Sequence, residues 1–72
     1  MSALDFPSLQ HELEVRVRAC TGNRLHNLGI ELSPEGIRIL GQTTTFYVKQ
    51  LAQHVVREIL PDVRLVNDIH VM

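Results

Sequence analysis

A single cysteine, Cys20, stands in the chain. It excludes an internal disulfide framework and a cysteine-rich zinc module. Charge of one sign is also lacking. Seven Lys and Arg against eight Asp and Glu give a formal net charge of -1, so no strong field favours nucleic acid or an acidic membrane. No apolar run approaches the ~20 residues needed to cross a bilayer. The start, Met1-Ser2-Ala3-Leu4-Asp5-Phe6-Pro7, has no basic stretch followed by an apolar one. The expected location is the cytoplasm, or the periplasm for a domain excised from a larger exported protein.

What is present is globular. Hydrophobic residues make up 44% and charged residues 21% of 72 positions, which is room for one domain, 1–72, with a core over about residues 8–72. A chain this short buries only ~60% of its unfolded surface. Little stability is then left to support a strained catalytic site, and self-association into a homodimer is expected to help.

Leu9, Leu13, Val17 and Cys20 recur at spacings of four, four and three, one stripe of a helix. Asp5 or Ser8 is placed to cap it, and Gly22 with Asn23 to end it. Leu13, Val15, Val17 and Ala19 also alternate with Glu14, Arg16 and Arg18, as in a strand. Helix is favoured because Leu9 extends the stripe and Gln10, Glu12 and Glu14 are good helix formers. Glu12 and Glu14 precede Arg16 and Arg18 by four, the favourable order for helical ion pairs.

Leu28, Ile30 and Leu32 alternate with Asn27, Gly29 and Glu31, giving a strand. Ser33-Pro34-Glu35-Gly36 suits a type I turn leading into a bulge, and Ile37 and Ile39 continue as a second strand. Residues 27–42 therefore form a hairpin. Thr43-Thr44-Thr45 supplies helix caps. Val48, Leu51, Ala52, Val55, Val56 and Ile59 follow at helical spacing for about four turns, until Pro61. Val63, Leu65, Ile69 and Val71 alternate with Arg64, Val66, Asp68 and His70 as a third strand. Asn67 falls on its apolar side, where a bulge or an end contact is expected. The order α-β-β-α-β predicts an α+β two-layer sandwich, with a three-stranded sheet and both helices on one face. Either hairpin strand is open to the third as a neighbour.

Laid out this way, the chain resembles the BON family, small bacterial domains first noted in osmotic-shock and nodulation-associated proteins. The resemblance rests on Ile37-Arg38-Ile39-Leu40-Gly41 closing the hairpin, on Ala52 in the following helix, and on Asn67-Asp68-Ile69-His70-Val71 in the last strand. It covers about residues 9–72. Where the family usually has Gly-Val before the last strand, this chain has Pro61-Asp62-Val63. The resemblance implies a non-catalytic module that binds phospholipid surfaces or partner proteins.

The chemistry-bearing residues give an alternative, a small metal- or thiol-dependent enzyme. His11, His26, His54 and His70 fall on four different elements, without the His-x-x-x-His spacing that favours a metal site. His26 and His70, expected on the open side of the sheet, are the first pair to test. Cys20 on an apolar stripe is expected to behave as a buried small hydrophobe rather than a nucleophile. Phe46 and Tyr47 are expected in the core or as a staple rather than as a base-stacking platform. The Gly-x-x-Gly clamp of RNA-binding KH domains is missing, since Leu25 stands three places after Gly22. No cofactor, metal or nucleic acid is expected.

The sheet face away from the helices is more informative. Alternation assigns it Glu31, Arg38, Leu40, Arg64, Val66, Asp68 and His70. Two apolar residues in a charged rim describe a contact surface for a protein partner, a second copy or a phospholipid headgroup.

Overall fold

The structure, a computed structural model, describes residues 6–72. Asp5, one of the two cap candidates, lies outside the described residues. The order is α1 (Phe6–Thr21), a 3-10 turn (Gly22–Arg24), β1 (His26–Ser33), β2 (Gly36–Thr43), α2 (Phe46–Ile59) and β3 (Leu65–Val71). The α-β-β-α-β order and the α+β class follow the sequence pattern.

Helix α1 takes in Pro7 in its first turn, where a missing N–H costs nothing. Ser8 is thus the third helical residue and not the cap. The buried stripe is Leu13, Val17 and Thr21, at spacings of four. Val15, which the competing strand pattern would have buried, is exposed. Thr21 is wholly buried because its hydroxyl donates to the Val17 carbonyl at 2.8 Å. Of the two expected ion pairs, Glu12–Arg16 forms at 3.5 Å. Among the described residues none joins Glu14 to Arg18.

Strands β1 and β2 pair antiparallel, Ile30 opposite Ile39 and Leu32 opposite Ile37. The pairing runs regularly to Ser33 and Gly36, so the bulge expected after the turn is not there. It lies at the other end of β1, between His26 and Gly29, where Asn27 takes a φ of 55°. Asparagine visits this left-handed region more readily than most residues. Gly36 has a φ of 152°, and a Cβ there would lie 2.5 Å from the Arg64 carbonyl oxygen. That oxygen accepts the Ile37 amide at 2.8 Å, joining the hairpin to the chain that leads into β3.

Strand β3 runs parallel to β2, giving a mixed sheet in the order β1-β2-β3. It begins at Leu65, two residues later than its alternation suggests, because 61–63 turn after α2 and Val63 N–H reaches back to the Leu60 carbonyl at 3.5 Å. One core joins the layers: Leu13 and Val17 from α1, Val48, Ala52, Val55 and Val56 from α2, and Ile30, Ile37, Ile39 and Ile69 from the sheet. Both helices therefore cover one face and leave the other open.

Candidate functional site

The open face is built by the pleat in three cross-strand rows. Glu31, Arg38 and Val66 form the first, Gly29, Leu40 and Asp68 the second, and His26, Gln42 and His70 the third. Arg38 occupies the central strand and reaches both sides. Its Nε lies 3.4 Å from Asp68 Oδ2 and its Nη1 3.9 Å from Glu31 Oε1. All three side chains are about half exposed, so each pair contributes under about 1 kcal/mol. Leu40 is half-buried because Gly29 opposite it carries no side chain, and the leucine Cδ1 spreads to within 3.8 Å of where a Cβ would stand. Val66 is 41% exposed.

Of the seven residues assigned to this face, Glu31, Arg38, Leu40, Val66, Asp68 and His70 stand on its strands. Arg64 precedes β3 and lies at the hairpin end, where with Glu31, Glu35, Arg38 and Val66 it rims an open depression. Gly29, which alternates with Glu31, Gln42, which alternates with Leu40, and His26, expected on the open side with His70, complete the face. The bulge between His26 and Gly29 brings His26, one place off the alternation of Asn27, Gly29 and Glu31, into the row of Gln42.

The alternative site residues are scattered. His26 and His70 share a row but stand two strand spacings apart, about 10 Å, with Gln42 between them. His11 and His54 lie on α1 and α2, exposed, and His54 Nε2 is 3.7 Å from Glu58 Oε2. Among the described residues no group of three His, Cys, Asp or Glu side chains is placed to hold a metal ion.

Three placements differ from expectation. Cys20 is exposed, not buried. The helix faces the core through Leu13, Val17 and Thr21, which rotates Cys20 into a shallow groove beside Arg16, Val55 and Ile59. Phe46 and Tyr47 are 59% and 62% exposed, not core. They occupy the first turn of α2 ahead of Val48, and the buried stripe of Val48, Ala52, Val55 and Val56 leaves them off its line. That offset was legible in the spacing. Asn67 sits in regular register without a bulge. Its Nδ2 donates to the Lys49 carbonyl at 2.9 Å and to Gln53 Oε1 at 3.1 Å, and its Oδ1 accepts the Ile69 amide at 3.2 Å. The polar side chain on the apolar side of β3 is thus a tie between sheet edge and helix.

Comparison of the chain with protein-family models, with curated proteins and with solved structures gives no match. No helix among the described residues is long and apolar enough to cross a membrane.

Proposed function

We propose that the chain is a non-catalytic, BON-like association domain that docks a partner protein on the open face of its sheet. The observation that carries this reading is the centre of that face. Leu40 stands there half-buried on the middle strand, with Val66 on the neighbouring edge strand, and Glu31, Arg38 and Asp68 lie around them. An apolar centre with a polar rim is the anatomy of a protein docking surface. Two acids and two arginines on the face balance to zero, which favours a protein surface over an anionic lipid headgroup.

The BON-like part of the reading draws support from the three motif residues, each of which has a structural duty. Gly41 ends the apolar-x-apolar-x-Gly run where Leu25 crosses the strand, 3.0 Å from a hypothetical Cβ. Ala52 is wholly buried in the core under α2. Asn67 ties β3 to α2.

The test is a capture experiment from native lysate with an anionic-vesicle control, run on the parent chain and on Val66→Glu and Leu40→Glu. Both variants are checked for fold by circular dichroism. Partner capture should fall at least tenfold in Val66→Glu, which alters an exposed position. Equal capture by folded variants, or retention by vesicles alone, would sink the proposal.

A further inference from the structure

Strand β3 ends the order β1-β2-β3, so one of its long sides is an edge of the sheet. Two hydrogen bonds fix which of its backbone groups point inward. The Arg64 carbonyl accepts from Ile37 N–H, and Met72 N–H donates to the Thr43 carbonyl at 2.9 Å. Backbone groups alternate sides along a strand, so the even-numbered residues 64–72 direct theirs at β2. Leu65, Asn67, Ile69 and Val71 direct theirs outward, away from the sheet. Of these outward groups the Ile69 N–H is taken by Asn67 Oδ1. The other outward groups have no protein partner among the described residues, and unpaired strand edges are templates for another strand.

Beside this edge runs a groove along α2, lined by Phe46, Lys49, Gln53, His54 and Arg57 with Asn67 at its floor. Among the described residues that line it none is acidic, and two are cationic. Lys49 and Arg57 stand eight residues apart, about 12 Å along a helix axis. Four residues of an added strand span about 13 Å, and positions four apart face the same side. Phe46 lies one turn beyond Lys49, at the end of the groove.

We infer that the β3 edge and the cationic flank of α2 take up an extended acidic segment of a partner protein as a fourth strand. Carboxylates four residues apart meet Lys49 and Arg57, the residue between them faces Gln53, and an apolar residue two places beyond one carboxylate packs on Phe46. Main-chain hydrogen bonds to the outward groups supply the binding, and the charges supply register and choice of partner. The charged contacts lie on α2 and not on the open face, so binding lost through Lys49 and Arg57 is distinguishable from binding lost through that face.

The probe is a nine-residue threonine-rich peptide with leucine at its second place and glutamate at its fourth and eighth. It is titrated into the isotope-labelled chain of residues 1–72 and followed by amide NMR. Saturable shifts and slowed hydrogen exchange at the Leu65, Asn67 and Val71 amides are expected. Reversal of both charges in Lys49→Glu/Arg57→Glu should weaken binding at least tenfold, as should lysine in place of the peptide's glutamates. Arg18→Glu, a charge reversal at an exposed position of α1, should leave the peptide bound as in the parent. The inference is overturned if the edge amides stay unperturbed at millimolar peptide, or if the lysine peptide binds equally. It is also overturned if those amides are already protected by a second copy in the free protein, or if only anionic vesicles shift the α2 resonances.

Discussion

At Gly41 a methyl group would lie 3.0 Å from Leu25 Cδ1 and 3.2 Å from the His26 carbonyl oxygen. The β2 backbone passes directly beneath the segment that enters β1, and only a residue without a Cβ leaves that space. Gly36 is tighter, since both its φ of 152° and the Arg64 oxygen oppose a side chain. Gly41→Ala should therefore cost about 1–2 kcal/mol, because Leu25 can yield by a few tenths of an ångström. Gly36→Ala should cost more, because a backbone oxygen cannot yield without breaking its bond to Ile37. Urea unfolding of the two variants checks the order, and equal midpoints would contradict it. At this scale the sequence was partly legible. Gly36 was marked by its turn, and Asn67 by its conflict with the alternation around it. The exposure of Cys20 was not, because a stripe drawn through positions 9, 13, 17 and 20 and one drawn through 13, 17 and 21 differ by one residue. Thr21 carries a hydroxyl that only its bond to Val17 makes fit for burial.

Among the elements, α2 shows the clearest local logic. Thr45 Oγ1 accepts the Val48 amide at 3.3 Å, satisfying one of the orphan donors of the first turn. Leu60 N–H closes the last turn on the Val56 carbonyl at 2.9 Å, and Pro61 follows. Thr45→Ala should lower stability by about 1 kcal/mol, the usual worth of a threonine cap. Thr44→Ala, at an exposed position, should change it by less than about 0.5 kcal/mol. Thermal melts by circular dichroism distinguish the two, and similar shifts for both would remove Thr45 from its role. The cap and the stop were both legible in the sequence, since each is a property of three or four adjacent residues. The start of β3 was less so. Alternation continues through Val63 and Arg64, but Val63 is held in the turn and Arg64 gives β2 only its carbonyl, which accepts the Ile37 amide.

The molecule as a whole has one core, and Ile39 is at its centre, wholly buried on the middle strand. Ile39→Ala should cost about 3–4 kcal/mol. A chain of this length has roughly 4–11 kcal/mol in hand at usual per-residue stabilities. The variant should thus melt tens of degrees lower, still in a single transition in which far-ultraviolet dichroism and Tyr47 fluorescence coincide. Two separated transitions would show that the helices and the sheet do not share one core.

By itself the sequence determined the elements, their order and the two-layer arrangement. Those follow from periodicities of 3.6 and 2, from turn residues and from caps, all of which act within a few residues of one another. It also determined most of the open face, because alternation sorts a strand's side chains without reference to its neighbours. Long-range packing settles that β3 lies beside β2, that its outer edge pairs with no other strand among the described residues, and that Asn67 spans from strand to helix. A crossover can return to either side of a hairpin with the same local pattern. The choice is made by which arrangement lets Val48, Ala52, Val55 and Val56 close over Ile39 and Ile69 in one dry interior.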